Sequence, residues 1–458
     1  MSLSKQIIDR TLESPHGTQA YHIVEKLADA GYDAWWVGGA VRDMLLGKVP
    51  KDIDIGTDAQ PKDIAKHFPK TDAGSALLGS VRVPLRGHVF EVTTFREDDE
   101  ASDGRHPESV VFGSREMDAK RRDITMNALY WNPISRELFD PFSGEKDLKE
   151  KLIRIVGEPG IRIKHDALRL LRVVRFRAQI EGQYHPDTYT ALKVLAPLVE
   201  GLSGSRQLEE LEKVLKGPHP DRALEDLWEL RILERFLPEL ALCKGIPQPA
   251  DYHHEGDVWE HMLRIMRAFR DEDGTDVRIA ALFHDSGKAK TFSLKERIRF
   301  DHHATVSAEL AEQALRRLQT PKKRIDKIVW LIKHHMMMGS FVETQSGSKP
   351  MSDERKAHWY FHPWFLELMA LFWLDIAGTD PADFGLYNKI VQDYHLFLDK
   401  NPRPPVQLLT GDEVMDILGL APGERVGEIL FALHAAQIRG EITSKKEAIE
   451  YLKKAKSL

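Results

Sequence analysis

Two aspartates separated by a single residue, Asp52 and Asp54, are the best candidates in this sequence for holding a hard divalent cation. Mg²⁺ prefers oxygen ligands and completes its coordination with water and substrate phosphates. Side chains alternate along a β-strand, so both carboxylates would share one face while Ile53 points into a core. A bound cation would also relieve the repulsion between the carboxylates. The spacing predicts a magnesium site that handles a phosphorylated substrate.

The residues before this pair predict the backbone that would position it. The apolar run Ala34–Val37 predicts a strand ending at Gly38 and Gly39, with a helix over residues 40–46 and a second strand opening at Asp52. Glycines let a backbone approach a triphosphate, and amides at a helix start point at an anion. This context favours a phosphate site over the alternative, a turn followed by two solvated aspartates.

The words VGGAVRDMLLG and KDIDI, at residues 37–47 and 51–55, resemble the head domain of class II tRNA nucleotidyltransferases. That family includes the CCA-adding enzymes and bacterial poly(A) polymerases of the polymerase β superfamily. The resemblance implies an α+β fold: a small polymerase β-type mixed-sheet head, a mostly α-helical neck, an HD domain and a helical C-terminal tail. It implies that Asp52 and Asp54 are catalytic Mg²⁺ ligands, and that Gly39 and Arg42 bind the nucleotide.

Two further stretches of the head contain sequence motifs of this family. The word RRDITMNA at residues 121–128 places Arg121 and Arg122 before an apolar run, and the resemblance implies that Arg122 binds nucleotide phosphate. Residues 96–107, REDDEASDGRHP, have no periodicity and predict a mobile surface loop. The D-G-R-x-P word within them is associated in the family with adding the terminal A, which disfavours an enzyme that adds C and C alone.

A helix predicted over residues 165–180 carries Asp166, Arg169, Arg172 and Arg175 at every third position. Burying arginines is costly unless they meet anions, so this row is predicted to face a ligand; the alternative is an ion-paired neck helix. The stretch resembles the E-D-x-x-R element of the family. The resemblance implies that Asp166 and Arg169 pair with the incoming base, while Arg172 and Arg175 bind phosphate. His165 stands where the family has Glu.

The second half of the chain is rich in histidine. His261, the adjacent His284 and Asp285, and Asp375 follow the order H…HD…D, which resembles HD-domain phosphohydrolases. Imidazoles with a carboxylate suit a divalent transition metal, and these four residues are predicted to hold one. His303 and His334 are candidate ligands of a second metal. The alternative is a set of ordinary core histidines.

Composition limits the remaining choices. The chain has 458 residues with 65 basic and 71 acidic side chains, a net charge of -6, so RNA contacts are expected to use local basic patches. A lone cysteine, Cys243, excludes an internal disulfide and suits a cytoplasmic location. No signal peptide or membrane-spanning stretch is predicted.

The predicted domains are a head at residues 1–155, a neck at 156–245, an HD domain at 246–400 and a helical tail at 401–458. The resemblance implies an enzyme that adds CCA to tRNA 3′ ends from CTP and ATP with Mg²⁺, in the cytoplasm. Two alternatives remain. The first is an A-adding enzyme or a poly(A) polymerase, although the basic tail typical of the latter is missing. The second is an HD phosphohydrolase whose head only binds RNA.

Overall fold

The computed structural model describes residues 3–72, 74, 76–97, 111–249, 253–343 and 350–456. The chain divides into two compact units, Met1–Ala241 and Leu242–Leu458. None of the described helices has the length and apolar character needed to cross a bilayer.

The first unit begins with the head. Its elements are α1 (Lys5–Glu13), α2 (Pro15–Asp29), β1 (Ala34–Val37), α3 (Gly39–Leu45), β2 (Asp54–Thr57), α4 (Pro61–His67), β3 (Ser80–Leu85), β4 (His88–Thr94), β5 (Arg96–Glu97), β6 (Val111–Phe112), α5 (Arg115–Arg121), β7 (Tyr130–Trp131), β8 (Leu138–Phe139) and α6 (Gly144–Lys149). The neck that follows contains β9 (Leu152–Ile153), α7 (Pro159–His165), α8 (Arg169–Ile180), β10 (Gln183–Tyr184), α9 (Pro186–Leu195), α10 (Gly204–Leu215), α11 (Pro220–Glu229), α12 (Leu233–Phe236) and α13 (Pro238–Ala241).

A six-stranded mixed sheet in the order β3-β4-β2-β1-β7-β8 forms the centre of the head. Strand β2 runs parallel to β4 and antiparallel to β1. All four residues of β1 are buried, as expected for an apolar run at the middle of a sheet. Trp36 of β1 packs edge to face against Trp131 of β7, with ring centroids 5.1 Å apart. The mixed-sheet head confirms the predicted α+β class.

Three predicted element boundaries are wrong. Strand β2 begins at Asp54 rather than Asp52, because its ladder with β1 ends at the pair Val37 and Asp54. The helix predicted over residues 165–180 is interrupted: α7 ends at His165, Asp166 is extended at φ -144 and ψ 99, and α8 begins at Arg169. In the predicted loop, Arg96–Glu97 pairs with β6 instead. The D-G-R-x-P word lies outside the described residues.

The second unit is almost entirely helical. Its elements are α14 (Val258–Arg267), α15 (Thr275–Phe283), α16 (Lys288–Thr291), the hairpin β11 (Phe292–Leu294) and β12 (Ile298–Phe300), α17 (His303–Arg317), α18 (Lys322–His334), α19 (Asp353–Tyr360), α20 (Phe365–Gly378), α21 (Gly385–Lys400), α22 (Gly411–Leu418), α23 (Glu424–Ile438) and α24 (Lys445–Lys456). Helices α14, α15, α18 and α20 pack together. The last three helices share a small apolar core that includes Val414, Leu433 and Leu452.

Candidate active site and metal centre

A cavity of about 380 Å³ opens in the first unit, where β2 and α3 begin. Its walls are strongly charged and carry five arginines and three aspartates. The lining residues are Gly38, Gly39, Arg42, Asp54, Arg121, Arg122, Asp123, Asn127, Asp166, Arg169, Arg172 and Phe176. Seven of the nine residues predicted for the nucleotide and magnesium sites are in this lining; Asp52 and Arg175 are not.

Asp54 lies at the start of β2, where the strand meets the cavity. Partial removal of its carboxyl from water raises the pKa of Asp54 to about 6, and the negative charges of Glu91 and Asp52 add to this effect. Arg122 acts in the opposite direction. Carboxylates that lie close together repel one another, and they offer only oxygen ligands. A hard cation such as Mg²⁺ prefers oxygen ligands and would relieve that repulsion.

Asp52 is exposed beside Asp54, and the buried Ile53 between them points the other way, as the alternation predicted. Asp52 precedes the strand, so the ladder that holds Asp54 does not extend to it.

Glu91 is a third acidic residue near this pair, and the sequence prediction omitted it. Strand β4 runs parallel to β2 with Ile55 opposite Val92, which places Glu91 next to Asp54. Ser80 donates a hydrogen bond to Glu91 Oε1 at 2.8 Å. The alternation of residues 88–92 indicates which face Glu91 occupies, but the pairing of β2 with β4 is needed to bring it to Asp54.

Gly38 and Arg42 connect the strand end to the cavity wall. Gly38 adopts a positive φ of 67°, and a Cβ there would meet Arg122 Nη1 at 3.4 Å and Asn127 O at 3.5 Å. These are ordinary contact distances, so it is the positive φ that would strain a side chain at this turn. Arg42 Nη1 donates to Asn127 Oδ1 at 2.7 Å, which fixes the guanidinium at the cavity wall.

Arg122 and its neighbour Arg121 are both held by the buried Asp118. Arg122 Nη2 lies 3.0 Å from Asp118 Oδ2, and Arg121 Nε lies 2.8 Å from Oδ1. Tyr130 donates to the same carboxylate at 2.5 Å. Burial alone would raise the pKa of Asp118, but the two guanidinium groups outweigh it and lower the pKa to about 2. Asp118 therefore stays ionised and holds two cations at the cavity edge.

Asp166 and Arg169 meet at the kink between α7 and α8. Arg169 is 6% exposed and donates to the carbonyl oxygens of Arg162 at 2.9 Å and Arg121 at 3.1 Å. Asp166 Oδ1 accepts a hydrogen bond from Arg206 at 3.0 Å. The sequence alone assigned no role to Arg206.

The remaining two arginines of the row point in different directions. Arg172 lines the cavity and donates to Asp123 Oδ2 at 2.5 Å. Arg175 is buried and donates to Glu210 Oε2 at 2.8 Å, so the expectation that it faces the ligand cavity is not met. These residues are three apart, which is less than the 3.6 residues of one helical turn. Each successive side chain is therefore rotated by about 60° around the helix axis relative to the one before it. Arg175 is thus turned toward α10.

A second cluster of ionisable residues is buried in the second unit. His261 Nε2 lies 3.0 Å from Asp375 Oδ1, and His284 Nε2 lies 3.4 Å from both Asp375 Oδ1 and Asp285 Oδ2. These are the four residues predicted for the HD metal, and the structure brings them together. The 3.4 Å separations are too long for strong hydrogen bonds. Imidazole nitrogens and carboxylate oxygens converging in this way fit a divalent transition metal.

Four histidines present Nε2 to this cluster because their Nδ1 atoms are fixed elsewhere. Three Nδ1 atoms bond to the backbone carbonyl three residues earlier: His284 to Ala281, His303 to Phe300 and His335 to Ile332, at 2.8, 2.9 and 2.6 Å. His261 Nδ1 instead lies 3.2 Å from Glu255 Oε1, on a fully buried carboxylate. Such partners set the tautomer and direction of metal-binding histidines.

His334, the suggested ligand of a second metal, lies outside this cluster, and the neighbouring His335 lies within it. His334 Nδ1 bonds to the Trp330 carbonyl at 2.8 Å, and its ring lies against Trp330. His335 Nε2 is 3.3 Å from His303 Nε2, which is itself 3.4 Å from Asp285 Oδ1. Helix α18 ends at His334, so the two adjacent rings point in different directions.

The charges within this cluster are strongly coupled. Burial opposes protonation of His261, but hydrogen bonds to Asp375 and Glu255 outweigh it and raise its pKa to about 9. Burial and the nearby His284 lower the pKa of His335 to about 4. Lys288 Nζ lies 2.7 Å from Asp285 Oδ2. The site thus combines carboxylates with positive charge, and a bound metal ion would compete with the proton of His261.

Three regions of the chain match known families. Residues 34–154 match "Poly A polymerase head domain", residues 183–243 match "Probable RNA and SrmB- binding site of polymerase A", and residues 252–355 match "HD domain".

Two curated proteins and one solved structure show the extent of the similarity. The chain is 45% identical over 229 residues to a CCA-adding enzyme of Geobacillus stearothermophilus, covering 50% of this chain and 56% of that protein. It is 32% identical over 440 residues to an A-adding tRNA nucleotidyltransferase of Deinococcus radiodurans, covering 91% and 94%. The crystal structure of Bacillus stearothermophilus CCA-adding enzyme in complex with CTP is 29% identical, with a TM-score of 0.67 and coverage of 96% and 98%.

The mixed sheet with its carboxylate and arginine cavity has the architecture of a polymerase β-type nucleotidyltransferase head. The chain belongs to the class II tRNA nucleotidyltransferase and poly(A) polymerase family, and it carries an HD domain.

Proposed function

We propose that this protein is a template-independent nucleotidyltransferase that adds C, C and A to the 3′ ends of tRNA from CTP and ATP. The observation that carries the proposal is the single cavity that holds the acidic Asp54 together with Asp166 and Arg169. Metal-binding and base-selecting groups thus face one nucleotide-sized space. The similarity to a structure solved with CTP supports the same reaction.

Asp52 and Asp54 would hold Mg²⁺, because their oxygen donors and mutual repulsion fit a hard cation. When bound, the metal would activate the tRNA 3′ hydroxyl and stabilise the departing pyrophosphate. Glu91 keeps the local charge negative.

The arginines of the cavity bind the triphosphate. Arg42, Arg122 and Arg172 each line the wall and are each fixed by an oxygen acceptor, which orients the guanidinium before the substrate arrives. Gly39 leaves room for the phosphates at the start of α3. Arg175 contributes indirectly, since its ion pair with Glu210 fixes the helix that presents Arg172.

Asp166 and Arg169 select the base. A carboxylate accepts from an exocyclic amine, and a guanidinium donates to a ring nitrogen or carbonyl oxygen. Cytosine and adenine both carry an exocyclic amine on this edge, whereas uracil and guanine present different patterns. Two carbonyl acceptors hold Arg169, and Arg206 holds Asp166, so the recognition edge is preorganised.

Addition of A alone is the second candidate, and one observation favours it. A curated relative whose sequence aligns over 91% of this chain is an A-adding enzyme. His165, at the end of α7, replaces the Glu of the family word. A tRNA ending at its discriminator base, incubated with CTP alone, separates the two candidates: extension by two cytidines supports CCA addition. No extension of that tRNA, together with extension by ATP of a tRNA already ending in CC, supports A addition.

The HD unit is proposed to be a metal-dependent phosphohydrolase acting on phosphorylated RNA ends. His261, His284, Asp285 and Asp375 would hold a transition metal, and His303 and His335, which lie beside Asp285, would be candidates to hold a second. Such a metal would lower the pKa of a bound water. Phosphatase activity that survives Asp52→Ala but not Asp285→Asn would establish two independent sites. If no metal binds, the phosphohydrolase proposal fails.

We propose domain limits at residues 155, 245 and 400. The end of the head match at residue 154, the end of the RNA-binding match at residue 243 and the division after Ala241 support the first two limits. With tRNA, CTP and ATP as substrates, we propose a cytoplasmic location for this protein.

A further inference from the structure

A histidine far upstream in the sequence contacts the segment between the two proposed magnesium ligands. His16 lies in the first turn of α2, and its Nε2 accepts a hydrogen bond from the backbone amide of Ile53 at 3.2 Å. Ile53 lies just beyond the β1 and β2 ladder, which ends at Asp54. His16 therefore supplies the acceptor that the neighbouring strand no longer provides.

The His16 ring is itself fixed by strand β4. Its Nδ1 lies 3.3 Å from His88 Nδ1, and its ring centroid is 4.5 Å from that of Phe90. To accept from the Ile53 amide, Nε2 must carry no proton, so the ring proton is on Nδ1 and is donated to His88. A half-buried ring with contacts at both nitrogens and on one face has little freedom to move.

The direction of the Ile53 amide affects both aspartates, because it is the peptide unit that joins Asp52 to the residues of β2. Both aspartates are exposed, but the sheet holds the backbone of Asp54, whereas Asp52 precedes the strand. The position of the Asp52 carboxylate relative to that of Asp54 thus depends on how this peptide is oriented. The contact from His16 supplies that orientation from outside the sheet.

We propose that His16 is a positioning residue that holds Asp52 and Asp54 at the separation needed to share a divalent cation. This inference rests on the proposed nucleotidyltransferase function. His16 is not among the residues that line the cavity. Its role would therefore be to orient the aspartates from the first turn of α2. His88 is its partner in the same role.

Two substitutions separate the hydrogen bond from the ring packing. His16→Phe keeps a ring against Phe90 but cannot accept from the Ile53 amide, whereas His16→Gln offers a side-chain oxygen at a similar reach. His22→Phe is the matched control, since His22 lies on the same helix with its side chain 53% exposed. Thermal unfolding of each variant establishes that the fold is intact.

The measurements are binding of Mn²⁺ alone, by electron paramagnetic resonance, and the kcat and KM for CTP incorporation into tRNA. Loss of an outer contact that orients metal ligands typically costs about 10- to 100-fold, so His16→Phe is expected to weaken Mn²⁺ binding and lower kcat by that factor, with KM for CTP nearly unchanged. His16→Gln should recover most of both, and His22→Phe should match the unsubstituted protein. Equal Mn²⁺ binding and equal kcat in His16→Phe would overturn the inference, whereas an inactive unsubstituted enzyme would overturn the proposed function itself.

Discussion

Arg206 donates a hydrogen bond to Asp166 at 3.0 Å and so holds the carboxylate that is proposed to recognise the base. Asp166 lies in extended backbone between α7 and α8, outside any regular element, and side-chain contacts therefore determine its direction. The two partners are 40 residues apart in sequence, and Arg206 lies on α10.

Replacing Arg206 with alanine should free Asp166 and relax base selection. We expect kcat/KM for CTP to fall about tenfold, roughly 1.4 kcal/mol, while incorporation of UTP falls less, so that discrimination between the two decreases. Arg231→Ala is the control, because Arg231 is a 73% exposed arginine of the same neck. Unchanged discrimination in Arg206→Ala would contradict the role assigned to Asp166.

Glu210 should be critical for the stability of the first unit. It is 1% exposed and bonds to Arg175, and replacing it with glutamine would leave that arginine buried without a counter-charge. Breaking a buried ion pair costs about 3–5 kcal/mol, so urea unfolding of Glu210→Gln should show a loss near the lower end of that range. Glu209→Gln is the control: its side chain is 66% exposed, and it should cost less than about 1 kcal/mol. Equal stability of the two variants would show that Arg175 finds another partner.

Metal binding at Asp54 should depend on pH. The pKa of Asp54 is raised to about 6, so the metal-free carboxyl is protonated below that pH and ionised above it. A cation and a proton compete for the same oxygens. Apparent Mn²⁺ affinity should therefore be constant above pH 6 and fall by up to about tenfold per pH unit below it. Titrations across this range that show a flat affinity would contradict the raised pKa.

Glu255 should control metal affinity in the HD unit. Its carboxylate fixes His261 through Nδ1 and also lies 2.6 Å from His253 Nδ1. Substitution with glutamine weakens the charge-assisted contact and should lower Zn²⁺ or Mn²⁺ affinity about 10- to 100-fold, measured by calorimetry on the whole protein.

Glu260→Gln, a 39% exposed position on α14, is the matched control for this experiment. If Glu255→Gln and Glu260→Gln bind the metal with the same affinity, the positioning role predicted for Glu255 is contradicted. Tight binding by both variants would leave the metal site itself intact.

Much of the fold was predictable because the apolar pattern of the head is strong. Strand β1 has the bounds that its apolar run predicted, since a glycine turn follows it directly. Charged residues with a recognisable spacing, such as Asp54 and Arg169, were also identified as candidates from the sequence.

The remaining site residues depend on contacts that sequence spacing does not contain. Glu91 reaches Asp54 only through the parallel pairing of β2 and β4, and Arg206 reaches Asp166 only through the packing of the neck helices. His334 and His335 are adjacent and chemically identical, so the end of α18 decides which one enters the metal cluster. Arg175 was placed wrongly because a three-residue spacing drifts around the helix.

The most direct test of the proposed active site is the rate of CTP incorporation into a tRNA that ends at its discriminator base, compared between the unsubstituted protein and Asp52→Ala. A metal ligand is worth several kcal/mol of transition-state stabilisation, so the rate should fall at least about a thousandfold. The Asp29→Ala control, at an exposed end of α2, should be fully active. Incorporation by folded Asp52→Ala at the unsubstituted rate would contradict the assignment of the active site.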